Sequence, residues 1–504
     1  MTMPPVTALS EVVIEAGGAP LGAAAIQTLS EVRVQQRLSL PTLCELAFYD
    51  EPDTADFAPG MALRVGISGR STPIFGGQIT AVEYIYAPSG EREVRVRAYD
   101  QLHALRKRQT VRTHVQVNAR SLARDLVGDL GLRVEAMADG PTWQWLVQHR
   151  QSDFDLLVEV AERCGLYLTL RDGVLHLITL EGFGETVTLT LGSTLLEARV
   201  EINGDPACRS VVATGWSPVY VDTHEGRARS ARSGRLVRAE VEPGQVGGSG
   251  ARALVNEAAQ NQQHAEAMAQ AELDARAARE VTLWGVAEGS PLLRPGCPVE
   301  VQGLASAVVG RYILTSVNHI INDTLGYVAE IATTPPPARE RPRGSVATPG
   351  IVTRVNDPER RGRVRVKLPA YENVETDWLG VVSAGAGQGK GLAILPNVGD
   401  LVLVLLTHED PAQGVVLGGL YGKNRVDDPG EQGGSIRRFT ILTPGGQRIR
   451  LDDGRGAIRL ENRDGSFIEL SPGKVRLHAD TDLEIEAPGR SITIRGSRID
   501  FERG

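Results

Sequence analysis

The last sixty residues repeat a short apolar couplet, and the repeat limits what the chain can fold into. The pairs are Ile449 with Leu451, Ile458 with Leu460, Ile468 with Leu470, Val475 with Leu477, Leu483 with Ile485, Ile492 with Ile494, and Ile499 with Phe501. Each reads apolar–x–apolar, the period of a strand with one buried face. Turn formers separate them: Asp453-Gly454, Asp464-Gly465, Pro472-Gly473, Pro488-Gly489 and Gly496. A two-residue apolar face cannot bury itself in a lone strand, so such strands need stacked neighbours to make a core. The repeat therefore points to a stiff, intertwined β-structure in which identical neighbours stack. Seven layers about 4.8 Å apart build a rod on the order of 30–35 Å. Arg476, His478, Asp480, Glu484, Glu486, Arg495 and Arg498 would face solvent. This pattern points to mechanics rather than catalysis.

Ahead of the repeat the chain alternates strand-like and helical stretches. Residues 1–115 read as β-rich, and Phe75-Gly76-Gly77-Gln78-Ile79 marks a close approach or bulge inside a strand pair. Residues 121–131 carry helical spacing through Leu122, Leu126 and Leu130. Ser152 is an expected N-cap, with Phe154, Leu157, Val158 and Ala161 on one face and Gly165 as the stop. Arg171-Asp172-Gly173 between two apolar runs signals a hairpin. Residues 252–279, rich in Ala, Glu, Gln and Arg and without proline, predict a helix. Pro335, Pro336, Pro337 and Pro342 mark a stiff linker over 335–349. Strands expected at 351–356, 362–367, 378–382, 392–394, 401–407 and 415–420 suit a small closed barrel of the oligonucleotide/oligosaccharide-binding (OB) type. The expected domains are 1–334, the linker 335–349, the barrel 350–422 and the repeating tail 423–504.

Composition narrows the function classes. Apolar content of 41% and charged content of 23% fit a soluble globular protein, and a net charge of −8 argues against a dedicated nucleic-acid binder. No signal peptide and no stretch of eighteen apolar residues is evident, so synthesis and assembly in the cytoplasm are expected. Cys44, Cys164, Cys208 and Cys297 are far apart and read as reduced, buried thiols. The nine histidines form no i, i+4 pair, so neither a metal nor a cofactor site is expected. The stretch 384–391 mimics a phosphate loop, yet Ala384 stands where the first glycine belongs and Gly391 where Ser or Thr must hold magnesium. The basic run Arg360, Arg361, Arg363, Arg365 and Lys367 lacks the interleaved aromatics of a single-strand site. About 25 residues separate barrel from tail, too few for a glycan-cleaving insert, so no catalytic residues are expected.

Several segments also resemble a known family. Residues 73–79 with 96–105, then 145–167 and 172–175, resemble the hub of contractile-tail spikes, and 293–301 with 310–319 resemble its second barrel. Asn356-Asp357-Pro358, 362–366, Pro396-Asn397-Val398-Gly399-Asp400 and 418–422 resemble the barrel that joins hub to needle. The order of these parts is similar to the VgrG-type spike of contractile injection systems, either type VI secretion or an extracellular phage-tail-like particle. A short tail with no effector domain favours the latter.

The resemblance implies a mainly β homotrimer with a minor α/β part. Its parts would be tandem hub β-barrels, an OB-fold barrel and an intertwined triple-stranded β-helix or β-prism. It implies a structural, membrane-piercing spike that adapts a sixfold inner tube to a threefold needle, the tandem barrels of three chains giving six similar units. Implied partners are a cone-shaped, PAAR-like tip protein, the tube and baseplate proteins and a possible effector cargo. The membrane would be met only on piercing. The fourteen couplet residues would form the trimer core, and Ile499, Phe501 and Gly504 the seat of the tip protein. Alternatives are a phage tail spike or hub protein, or a carbohydrate-active enzyme on a trimeric stalk.

Overall fold

A sheet of eleven strands organises the first part of the chain in the computed structural model, which describes residues 12–49, 57–217, 222–339 and 344–502. Among the described residues its order is Leu195–Ile202, Val281–Glu288, Gly326–Ala332, Ser316–Asn322, Leu29–Arg37, Leu43–Tyr49, Arg92–Tyr99, Phe75–Tyr86, Ala62–Ile67, Val12–Ala16 and Ala19–Pro20. Period-2 alternation sends Val32, Val34, Leu46, Phe48, Val94 and Val96 into one core. Val281, Leu283, Val299, Val301, Tyr312 and Val317 form a second. The two lobes meet along a main-chain seam in which Ser316–Asn322 runs antiparallel to Leu29–Arg37, from Ser316↔Arg37 to Asn322↔Glu31. Strands from both ends of the region thus share one ladder, and it cannot be opened without exposing backbone donors and acceptors. Gly77 meets the close approach its sequence signals. A Cβ there would lie 2.1 Å from the Tyr99 carbonyl oxygen.

Between the lobes sits an α/β insert with its own core, including Leu122, Leu126, Phe154, Leu157, Val158 and Ala161. Helix α1 (Ala119–Val127) starts earlier than the leucine spacing indicates, because Asn118 and Ser121 form a reciprocal capping box. Helix α2 (Asp153–Arg163) starts at Ser152, whose hydroxyl accepts from the Asp155 amide at 3.1 Å. It ends in a Schellman turn, with Gly165 N donating to Glu162 O and Leu166 N to Ala161 O. Asp172 and Gly173 both take left-handed φ, 49° and 76°, and close the hairpin Tyr167–Arg171/Val174–Ile178.

The helix expected over 252–279 is corrected. Helix α3 is Gln262–Glu280, capped by Asn261, while Ala251–Ala258 is a strand lying parallel to Ser210–Ser217. Alanine content favours a helix, but ladder bonds to a strand forty residues away override propensity here.

Residues 345–419 curl into a small barrel. Its strand order is Val374–Glu375, Arg365–Leu368, Ser345–Arg354, Leu401–Thr407, Gly414–Gly419 and Gly380–Val381. Paired bonds between Val364 and Leu379 close it. Val352, Val364, Val366, Leu368, Val402, Val404 and Leu406 fill it. The strand expected at 392–394 is absent from the described residues. Residues 383–399 form an exposed irregular loop instead, because their apolar side chains do not alternate toward the barrel core. Pro349, placed in the linker by its neighbours' composition, lies inside the strand Ser345–Arg354.

By contacts the chain divides into two units, Met1–Leu420 and Tyr421–Gly504. The second is an antiparallel meander of Arg438–Leu442, Arg448–Asp452, Ala457–Glu461, Phe467–Ser471 and Lys474–His478.

Two buried histidines give the first unit a pH dependence. Burial holds His264, whose ring centre lies 4.7 Å from that of Trp143, and His319, beside the Tyr327 hydroxyl, down at about 4. Both rings take a proton more readily unfolded, so stability falls as pH drops from about 6.5 towards 4, by on the order of 3 kcal/mol per ring. Burial pushes Asp100 up to about 6, so it protonates first in the folded state and offsets one ring. The melting temperature of the first unit is therefore expected to fall between about pH 6.5 and 4.5, and His264→Gln to flatten the fall. Thermal scans across that range provide the check.

Candidate functional site

The meander brings the couplets of distant turns into register. Leu451 pairs with Ile458, Ile458 with Leu470 and Leu470 with Val475. Beside that row, Ile449 pairs with Leu460, Leu460 with Ile468 and Ile468 with Leu477. Cross-strand partners point to the same face, so the two rows form one apolar ladder two residues wide. Phe439 and Ile441 extend it by a rung, pairing with Leu451 and Ile449. The couplet search missed this rung, although Arg438-Phe439-Thr440-Ile441 carries the same alternation. Over Arg438–His478 the strands pair within one chain, not with a neighbouring chain as the expected intertwined form requires.

The last three couplets lie in extended chain outside the meander: Leu483 with Ile485, Ile492 with Ile494, and Ile499 with Phe501. Gly504 lies outside the described residues. The expected core at the couplets is that of a trimer, and the single chain by itself leaves them open. All fourteen residues are exposed there, from 40% at Ile449 to 89% at Phe501. On the meander the reason is that one sheet has nothing packed on its apolar face. Beyond it, Leu483, Ile485, Ile492, Ile494, Ile499 and Phe501 have no strand partner among the described residues, and Ile494 is 62% exposed. An apolar strip of this kind is normally covered in an assembled protein.

The opposite face is charged and paired within itself around Arg459 and Asp428. Thr440, Arg450, Arg459, Glu469 and Arg476 form its central row. Arg459 bridges Glu461 at 3.0 Å and Glu469 at 3.2 Å, and its guanidinium lies 3.7 Å from the Phe467 ring centre. Asp428 ties the first strands together, accepting from Arg438 at 2.7 Å and Thr440 at 3.0 Å, with Arg450 at 3.4 Å. The Arg438 hydrogen bond holds the Asp428 carboxyl at about 2. One face is thus built for water and the other is not.

The remaining sequence signals resolve into structure. Arg363 is buried against Asp357 at 2.7 Å, and the Asp357 carboxylate also accepts from the amides of Glu359, Arg361 and Arg363. That guanidinium holds the Asp357 carboxyl far below the usual range. Arg361 bridges Glu359, and Arg365 lies between Trp145 and Trp378. The basic run is therefore partly interior. The glycine-rich 384–391 loop precedes no helix, so it lacks the N-terminal dipole that a phosphate loop needs. The four cysteines are buried thiols. No group of three His, Cys, Asp or Glu side chains among the described residues is placed to hold a metal. No helix there is long and apolar enough to cross a membrane.

Comparison with known proteins agrees with this arrangement. Residues 348–421 match the family model of the type VI secretion system/phage-baseplate injector OB domain. The type VI secretion system spike protein VgrG4b of Pseudomonas aeruginosa is 32% identical over 167 residues, 31% of this chain and 19% of that protein. The chain thus spans about a fifth of the length of that curated relative. Among solved structures, the half-lidded Francisella PdpA–VgrG complex is similar over 93% of this chain and 88% of that one, at TM-score 0.54 and 8% identity. A type VI component of E. coli, itself described as similar to the T4 tail proteins gp27 and gp5, is similar over 78% of this chain and 96% of that one, at TM-score 0.51 and 14% identity. At such identities these two carry the fold alone.

Mostly β architecture, an OB-type barrel and a laddered C-terminal unit define the class: this is a VgrG-type spike protein of contractile injection systems. A second family model, described as the Alg8 N-terminal domain, matches residues 48–323, more than half of the chain's length, so the chain belongs to that family as well.

Removing Asp428 should loosen the start of the ladder alone. Asp428→Ala is expected to speed amide exchange in Arg438–Leu442 while the first unit melts unchanged. Hydrogen exchange resolved by segment reads both.

Proposed function

We propose that this chain is a non-enzymatic spike that acts as a homotrimer, a hub plus a membrane-piercing needle at the end of the inner tube of a contractile injection machine. The observation that carries this reading is the ladder, with its two exposed apolar rows backed by a charged face. Three such sheets facing one axis bury the rows against one another and leave Arg450, Arg459 and Arg476 in water. Each Ile or Leu carried from half-exposed to buried gains about 1 kcal/mol, repeated over every rung and all three chains. Because the strands already pair within the chain, side-chain packing holds the trimer there. The segment 481–502 continues the couplets through Ile485, Ile492 and Ile494 and would continue the needle. Stiffness follows from a dry core with no loop inside it, and stiffness is what a piercing tip requires.

The same reading assigns the remaining parts. Hub lobes of three chains give six similar units to meet a sixfold tube. Ile499 and Phe501, 48% and 89% exposed, are the proposed seat of a PAAR-like tip protein, with Gly504 beside them in sequence. Tube and baseplate proteins would contact the hub, assembly would be cytoplasmic, and effector cargo would travel with the particle. Whether the machine is an extracellular particle, a phage tail or a type VI apparatus remains a choice within this function, and the VgrG4b match favours the last.

Native mass should give a trimer. Leu460→Asp with Ile468→Asp, at mid-ladder, should convert it to monomer or aggregate, as should Leu483→Asp with Ile485→Asp further on; an unchanged trimer mass for both pairs rejects the needle. In a density map of the particle the hub should show pseudo-sixfold symmetry, and a plainly threefold hub with unlike lobes rejects the adaptor role.

A further inference from the structure

We propose that the hub and the small barrel are locked together by a tryptophan–arginine–tryptophan sandwich, so that they move and carry load as one body. Arg365, on the barrel, has its guanidinium 4.7 Å from the Trp145 ring centre and 5.1 Å from that of Trp378. Trp145 stands on the insert strand Trp143–Gln148, whereas Trp378 belongs to the barrel. The cation is therefore shared between the two parts. Its side chain is only 17% exposed, and Glu375 at 3.6 Å and Asp377 at 3.4 Å balance its charge. Trp145 is fixed at both ends. Its indole N–H donates to the Glu375 carbonyl at 3.2 Å, and its own carbonyl accepts from Gln260 at 2.9 Å. A planar cation between two rings resists sliding in a way that a flexible ion pair does not.

Two further contacts brace the same junction. In the barrel turn, His408 and Glu409 both adopt left-handed backbone, φ 54° and 57°, which non-glycine residues avoid unless something holds them. His408 Nε2 lies 2.8 Å from the Asn256 carbonyl oxygen, and Glu409 pairs with Arg150 at 2.9 Å. The proline-rich strap is pinned as well, with Arg279 donating to the Pro336 carbonyl at 2.7 Å and Arg339 pairing with Asp155 at 2.9 Å. Turn and strap both line one cavity of about 860 Å³. Composition marks the strap as a linker between domains, yet it is fastened at Pro336 and Arg339, and residues 1–420 group as one compact unit.

The importance of the lock for injection rests on the proposed spike function; the lock itself is a property of the chain and is tested separately. Val364 and Val366 fill the barrel core on either side of Arg365, so Arg365→Ala leaves the barrel its core. In the full-length protein, wild type is expected to melt hub and barrel in one step and to resist protease at residues 336–339. Arg365→Ala should split the step in two and speed cleavage there about tenfold. Arg365→Lys, which keeps the charge and loses the planar face, should behave nearly as Ala. A single step at the wild-type temperature with wild-type cleavage overturns the proposal. If circular dichroism shows that Arg365→Ala unfolds the barrel, the double change His408→Ala with Glu409→Ala carries the same expectation and the same rejection. Native mass on the same samples separates the two ideas, since a wild type that is not a trimer rejects the spike reading and leaves the lock to its own result.

Discussion

The C-terminal unit depends on one unmet demand: two rows of Ile, Leu, Val and Phe that a single five-stranded meander presents but cannot cover. Neighbouring strands of that meander pair with one another, which leaves open backbone only along the two edge strands, Arg438–Leu442 and Lys474–His478. The demand across the face comes from side chains. The charged face, with Arg459 held between Glu461 and Glu469, shows which side the sheet turns to water. A ladder of this form has little to do as a monomer, and it is the feature on which the proposed trimer and needle rest.

The hub answers a different constraint. Its two cores are joined through the seam between Ser316–Asn322 and Leu29–Arg37, so one sheet passes through both lobes. Separating the lobes would break main-chain bonds as well as side-chain packing. The small barrel is closed by the Val364–Leu379 bonds and stabilised at its entrance by the buried Asp357–Arg363 pair. Removing either partner of that pair would strand a buried charge, which costs far more than the pair contributes. These features suit a part that must keep its shape under force.

Local chemistry made much of this legible. Ser152 as a cap, Gly165 as a stop, Asp172-Gly173 as a hairpin turn and the couplet period all act within a few residues, and the fold uses each of them. Where a choice between local and distant partners existed, local reading failed. Ala251–Ala258 has a helical composition but pairs with Ser210–Ser217. Residues 392–394 have strand-like apolarity but no strand to meet. Ile492 and Ile494 keep the couplet period, yet among the described residues nothing arrives to pair with them or bury them. The basic run lacks aromatics within its own sequence, yet in the fold Arg363 is interior and Arg365 lies against the rings of Trp145 and Trp378.

By itself, then, the sequence determined the periods: which residues alternate, where turns fall, and that the C-terminal strands are too short to bury their own faces. Those are properties of neighbours along the chain, set by side-chain direction and backbone preference. Only the tertiary structure decided which strands meet, that the meander closes on its own chain, that Phe439 and Ile441 add a rung, and which arginines leave water. These outcomes depend on residues far apart in the chain, because pairing and desolvation are settled by whatever surface arrives opposite, and no local period records that.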